Sequence, residues 1–178
     1  GSEDGGPLIV EVGPVLGADG RRLVTLHHDE ADELEVLTRL GEVPLPPYIH
    51  APLADPDRYQ TVFARNPGSV AAPTAGLHLT DEVLERCRAR QIDVVSVELV
   101  VGLGTFRPIT AARVEDHPMH AEHYRIPPAT AERVRAQVVA RQGGASGGVV
   151  AVGTTVVRAL ESWAATGAAE GATDLFIR

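Results

Sequence analysis

The feature that most constrains the fold is an alternation of helical and strand patterns in the second half of the chain. Thr80 can cap a helix whose first turn carries Asp81 and Glu82. The patterns predict helices over 81–91, 129–141 and 154–165, with strands over 94–101 and 148–153. Because parallel strands need helical crossovers, this order predicts an α/β region, either barrel-like or an open sheet.

The first part of the chain has a different pattern. Two short β-like runs, 8–12 and 22–27, flank the turn sequence GADG. Apolar residues at helical spacing follow over 31–40, and Gly41 is a suitable C-terminal stop. Five prolines then lie between residues 44 and 56 and predict an extended, non-helical segment. Since two strands alone are only marginally stable, we expect them to belong to a larger sheet.

Composition excludes several classes of function. No apolar run reaches the roughly 20 residues that span a bilayer, so no membrane partner is expected. The single cysteine, Cys87, excludes an internal disulfide and fits a reducing, cytoplasmic compartment. All 16 cationic residues are arginine, which excludes a Schiff-base lysine and a P-loop lysine. The net charge of −8 offers no basic surplus for a nucleic-acid backbone, although a basic region can be local.

Three loops lie where α/β folds bind ligands, at the ends of strands and the starts of helices. They are SVAAPTAGLH (69–78), GLGTF (102–106) and GTT (153–155). In the first, Gly76 lets backbone amides approach a ligand, and His78 can serve as acid, base or hydrogen-bond donor. The alternative is that His78 merely satisfies a loop carbonyl. GLGTF does not continue into a helix, so a Rossmann dinucleotide site is unsupported.

Two further constellations carry polar chemistry. The segment EDHPMHAEHY places His117, His120, Glu122 and His123 together, which fits either a metal site or a polar loop for proton transfer. Pro118 and the lack of an HExxH pattern favour the loop without metal. Thr154 and Thr155 begin a predicted helix that could hold an anion, and Arg158 with Glu161 has ion-pair spacing. An ordinary helix cap with a surface ion pair is the alternative.

The motifs LPPYI, DRYQTVFA, GSVAAPTAGLH, GLGTFRP, HPMHAEHY and GTTVVRALES occur in this order. Over roughly residues 20–178 the chain resembles the S-adenosylmethionine:tRNA ribosyltransferase-isomerase family of queuosine biosynthesis. The resemblance implies a barrel-like α/β domain with a small inserted β-barrel. It implies that residues 1–28 are part of the inserted barrel and that residues 29–178 are an incomplete catalytic domain.

The resemblance also implies a reaction. The ribosyl group of S-adenosylmethionine is transferred to a 7-aminomethyl-7-deazaguanine base in the tRNA anticodon and isomerised to epoxyqueuosine, with release of adenine and methionine. No metal is required. The residues implied for proton transfer or ribose contacts are His78, His117, His120 and Glu122. The residues implied for substrate binding are Arg58, Tyr59, Gln60, Pro73, Thr74, Ala75, Gly76, Gly102, Gly104, Thr105, Phe106, Thr154, Thr155, Arg158 and Glu161, with Glu161 orienting Arg158.

Three departures from the family pattern leave alternatives open. Val100 stands where a histidine is usual, and Leu79 stands where a phenylalanine is usual. The chain is also short at both ends relative to the family, as expected of a fragment or a reduced relative, and an incomplete barrel would favour self-association. The alternatives are a relative that binds S-adenosylmethionine but modifies a small molecule, and a non-catalytic fragment or interaction domain.

Overall fold

The computed structural model describes residues 6–17, 21–46, 48–102, 113 and 121–177. The chain divides into two compact units, with the boundary between Val43 and Pro44. This boundary assigns the helix over 33–40 to the same unit as the two N-terminal strands, whereas the sequence-based division fell after residue 28. That the first unit belongs to a small β-barrel stays a prediction.

The first unit contains the predicted hairpin and helix. Strands β1 (Ile9–Val15) and β2 (Arg22–His27) pair antiparallel, with a register irregularity between Val12 and Val15. Helix α1 (Glu33–Leu40) begins after Asp32, whose side chain accepts a 2.8 Å hydrogen bond from the backbone N–H of Leu34. It ends at Gly41, as the sequence predicts.

The second unit contains three helices and two short 3₁₀ turns. The helices are α2 (Asp81–Ala89), α3 (Pro128–Gln142) and α4 (Thr154–Thr166). The predicted cap of α2 is confirmed, because the Thr80 hydroxyl accepts a hydrogen bond from the Val83 N–H. The 3₁₀ turns are Pro56–Tyr59 and Thr74–Gly76. All three predicted helices are therefore present, within a few residues of their predicted bounds.

A three-stranded sheet lies in the same unit. Strands β3 (Glu98–Val100), β4 (Glu122–Arg125) and β5 (Glu170–Thr173) pair in the order β3-β4-β5, and both pairings are antiparallel. On one face of β4, Tyr124 packs with Ile126, Ala131, Ala159 and Trp163 to form the buried core against α3 and α4. The guanidinium of Arg135 lies 4.7 Å from the centre of the Trp163 ring. This core fixes α4 on the sheet.

Two of the strand predictions need correction. The predicted strand over 94–101 is shorter in the structure, and the predicted strand over 148–153 is not formed. Val150 there is 84% exposed, because the segment pairs with no strand in the described part of the chain. The described sheet contains antiparallel pairs, and the α/β class with parallel strands and helical crossovers stays a prediction. The barrel-like architecture as a whole stays a prediction.

Candidate active site

Two of the predicted loops meet at the end of β3. Val101 follows directly after that strand and is 7% exposed. Its carbonyl accepts a 2.9 Å hydrogen bond from the Val70 N–H, and its own N–H donates to the Ser69 hydroxyl at 3.2 Å. The segment before the PTAG turn (residues 73–76) is therefore hydrogen-bonded to Val101. Val101 directly precedes Gly102, the first residue of the GLGTF loop.

The PTAG turn itself lies against two other motifs. A Cβ added to Gly76 would lie 2.8 Å from Phe63 Cζ and 3.4 Å from Thr61 Cγ2, so only glycine fits there without a shift. A Cβ added to Gly153 would lie 3.1 Å from the Cβ of Ala75. Gly153 has φ +97° and stands at the start of α4. The turn therefore contacts both the DRYQTVFA segment and the first residue of the GTT motif.

The structure thus brings together part of the predicted site. It joins Ala75 and Gly76 with the start of α4, which carries Thr154 and Thr155, and places Gly102 one residue beyond the Ser69 contact. Pro73 and Thr74 lie in the same turn. Five other predicted residues, in the GLGTF and EDHPMHAEHY segments, lie outside the described residues. They are Gly104, Thr105, Phe106, His117 and His120.

His78 lies between the PTAG turn and α2 and is exposed. Within the described ranges, no hydrogen bond involves its imidazole, while its backbone carbonyl accepts the Thr80 N–H at 3.1 Å. The alternative in which His78 satisfies a loop carbonyl therefore has no support in the described part of the structure.

A buried ion pair joins β4 to α4. The Arg158 guanidinium donates to the Glu122 carboxylate, and the two side chains are 10% and 7% exposed. A second Arg158 nitrogen donates to the Thr173 carbonyl at 3.3 Å, whereas its Nε has no partner among the described atoms. The expected partner of Arg158 was Glu161, which is exposed instead. The sequence-based pairing is wrong because Arg158 points towards the sheet.

Neighbouring hydroxyl groups complete this contact between helix and sheet. Ser162 donates to Thr173 at 2.5 Å, and the Thr173 hydroxyl accepts the Leu175 N–H at 3.2 Å. The Tyr124 hydroxyl donates to the Ala168 carbonyl at 2.9 Å. None of these residues was singled out from the sequence, because serine and threonine in a helix or short strand carry no distinctive pattern.

The residues predicted to hold the base occupy the first 3₁₀ turn and its end. Arg58 and Gln60 are exposed, and Gln60 uses its side-chain oxygen to accept the Thr61 N–H at 2.9 Å. Tyr59 is 9% exposed. Burial raises the pKa of its phenol, and Tyr48 nearby raises this pKa further. The Thr61 hydroxyl is buried without a partner among the described atoms.

A second polar cluster attaches Asn66, which lies in the segment before the PTAG turn, to the three-stranded sheet. Glu98 accepts a 2.8 Å hydrogen bond from the Asn66 amide, and Arg125 donates to its other oxygen at 2.6 and 2.8 Å. The bond from Asn66, followed by those from Arg125, lowers the pKa of the Glu98 carboxyl. The cluster anchors residues 64–68 along β3, upstream of the Ser69 contact.

Replacing Glu98 with glutamine is expected to lower the free energy of unfolding at pH 7 by about 0.2–1 kcal/mol, since the Arg125 pair is partly exposed. The lowered pKa in the folded state means that this stabilisation is fully present above the ordinary value of 4.5. It is lost as the pH falls through the lowered value. Urea unfolding between pH 7 and pH 3 measures this, with exposed Glu132→Gln as control. A difference that does not decrease between pH 7 and pH 3 would contradict the assignment.

No group of three or more metal-binding side chains occurs among the described residues. His117 and His120, which the metal alternative requires, fall outside those ranges. Within the same ranges, no helix has the length and apolar character needed to span a membrane.

Comparison with known proteins identifies the class to which this fold and site belong. A family model described as queuosine biosynthesis protein matches residues 5–178. The chain belongs to this family of queuosine biosynthesis proteins. No solved structure shows significant similarity to it.

The relatives share extensive identity with the chain. A protein of Desulfitobacterium hafniense named S-adenosylmethionine:tRNA ribosyltransferase-isomerase is 49% identical over 164 residues, which cover 89% of this chain and 46% of the relative. Proteins with the same name from Moorella thermoacetica and Geobacter sulfurreducens are 48% and 54% identical, covering 97% and 80% of this chain and 50% and 42% of the relatives. The chain therefore spans about half the length of these curated relatives.

Proposed function

We propose that this chain carries the S-adenosylmethionine site of a tRNA ribosyltransferase-isomerase. In this reaction the ribosyl group moves to a 7-aminomethyl-7-deazaguanine base of the tRNA anticodon and is isomerised to epoxyqueuosine, and adenine and methionine depart. The observation that carries the proposal is the convergence of three motif segments: Val101, just before the GLGTF loop, bonds to the segment of the PTAG turn, and Ala75 of that turn lies against Gly153 of the GTT motif. Family membership supports the same activity.

The contacts described above support different roles for the site residues. The PTAG turn has no room for a side chain at Gly76, so its backbone forms a small, fixed surface suited to a nucleoside. In this proposal the exposed imidazole of His78 exchanges a proton with the ribose or with the departing adenine. Thr154 and Thr155, at the start of α4, suit the methionine carboxylate.

Glu122 and Arg158 take different roles from those expected of isolated groups. Because the two groups form a buried pair, Arg158 is not a free anion ligand and the Glu122 side chain is held in place by the guanidinium. We therefore assign Arg158 to holding Glu122 at the start of β4. A remaining Glu122 lone pair can accept a ribose hydroxyl, and His117 and His120 are proposed to complete proton transfer.

An RNA partner is supported by local charge despite the net charge of −8. The exposed arginines between residues 58 and 90 make no ion pair within the described structure, so their charge is available to phosphate groups. They are Arg58, Arg65, Arg86, Arg88 and Arg90. A tRNA anticodon stem in the cytoplasm is the partner that this proposal requires, and a barrel-like α/β domain with an inserted β-barrel is the proposed architecture.

The test is adenine release from S-adenosylmethionine, measured by chromatography with and without an anticodon stem-loop that carries the deazaguanine base. The proposal expects release only with the RNA. Release without RNA would favour the small-molecule alternative. Folded protein that releases no adenine and binds no S-adenosylmethionine by calorimetry would refute the activity and favour a non-catalytic domain.

A further inference from the structure

Ser69 occupies an unusual position among the loop residues. Its hydroxyl accepts the Val101 N–H at 3.2 Å and donates to the Ala71 carbonyl at 3.1 Å. One side chain therefore fixes its own turn and also binds the end of a strand 32 residues away in sequence.

The acceptor is needed because the β-ladder stops one residue earlier. The last pair between β3 and β4 joins Val100 with His123, so the N–H of the following residue, Val101, has no strand partner among the described residues. Val101 is 7% exposed, and a buried N–H without an acceptor is unfavourable. The adjacent bond from the Val70 N–H to the Val101 carbonyl, at 2.9 Å, completes a two-point attachment.

This attachment lies where two predicted ligand loops begin. On one side, the chain runs from Ser69 into the PTAG turn, whose Ala75 lies against Gly153 at the start of α4. On the other side, Val101 leads directly into Gly102. A displacement at Ser69 therefore moves the PTAG turn relative to both Val101 and the start of α4.

We propose that Ser69 is a positioning residue that holds the PTAG turn in register with Val101 and Gly102 for the reaction. This inference rests on the proposed function. Ser69 acts through the backbone of Val101 and is not itself placed against substrate. The Asn66–Glu98 bond, at 2.8 Å, fastens the same segment farther upstream, so loss of the Ser69 hydroxyl leaves the segment attached to β3.

The experiment compares Ser69→Ala, Ser69→Thr and the wild-type chain, with Ser146→Ala as control. Ser146 is exposed, and its side chain makes no hydrogen bond within the described part of the chain. In Ser69→Ala we expect amide exchange at Val101 to rise at least about tenfold. We expect kcat for adenine release, per folded protein, to fall about 10–100-fold, because misplacement of about 1 Å has effects of this size. KM for S-adenosylmethionine should change less than about threefold.

Ser69→Thr retains a hydroxyl and should recover most of the lost kcat, whereas Ser146→Ala should match the wild type. A merely structural defect would reduce the folded fraction without changing kcat of the folded protein. Unchanged exchange at Val101, or unchanged kcat in Ser69→Ala, would overturn the inference. Wild-type protein that releases no adenine would instead refute the proposed function, and exchange at Ala75 and Gly153 would still decide whether Ser69 holds the turn.

Discussion

Replacement of Glu122 by alanine is expected to lower the free energy of unfolding by about 3–5 kcal/mol. The reason is that the Arg158 guanidinium would stay buried without its counter-charge, and among the described atoms only the Thr173 carbonyl, at 3.3 Å, would remain as an acceptor. Urea unfolding followed by circular dichroism measures this change. It is among the largest effects that a single substitution in this chain should have.

The matched control is Glu161→Ala, since Glu161 also lies near Arg158 in sequence but is exposed on α4. It should change the free energy of unfolding by no more than about 0.5 kcal/mol. Replacing both partners, Glu122→Leu with Arg158→Met, should be far milder than Glu122→Ala, because no buried charge is left behind. Equal losses in Glu122→Ala and Glu161→Ala would contradict the pairing seen in the structure.

Replacement of His78 by glutamine is expected to slow adenine release by about 10²–10⁴-fold. Glutamine retains hydrogen-bonding capacity but cannot exchange a proton near neutral pH as an imidazole does. Because the His78 imidazole is exposed and makes no hydrogen bond within the described structure, the substitution should have little effect on the stability of the folded state. The measurement is the initial rate of adenine formation with saturating S-adenosylmethionine and stem-loop RNA.

His50→Gln is the matched control, because His50 is also exposed but lies in the proline-rich segment outside the motif contacts. It should retain at least about half of the wild-type rate, a change of less than about 0.5 kcal/mol in the barrier. If His78→Gln also retained half of the rate, His78 would be removed from the proton-transfer residues. The convergence of the three motif segments would be unaffected by that result.

Helices could be predicted from the sequence because their signals are local. Thr80, Gly41 and the apolar spacing of α4 each act within one or two turns of the backbone. Strands depend on partners elsewhere in the chain. The valine-rich segment 148–153 has a strand-like composition but no pairing partner in the described structure. The strand predicted there from composition alone was therefore wrong.

Strand β4 was missed for a related reason. Its buried positions alternate with exposed ones, but one buried position is Glu122, which reads as polar in a hydrophobic pattern. Only the pairing with Arg158 makes that burial favourable, and α4 supplies this arginine 36 residues later. Because Glu122 is so far from Arg158 in sequence, Glu161, three residues from Arg158 on the same helix, was predicted as its partner instead.

The candidate site was predictable in its parts but not in its assembly. Gly76 in the PTAG turn and His78 just after it indicated a ligand loop, whereas Ser69 carries no such signal. Its importance depends on Val101, which lies 32 residues away and becomes its neighbour only in the folded chain. Long-range hydrogen bonds of this kind leave no periodic signal in the sequence.

The most direct test of the central claim is an NMR titration of the ¹⁵N-labelled chain with S-adenosylmethionine. If the three motif segments form one site, the amide signals of Ala75, Val101 and Gly153 should shift together and share one half-saturation concentration. Signals of the first unit, such as Val24, should stay in place. Binding that leaves those three amides unchanged, or no binding to the folded chain, would contradict the account.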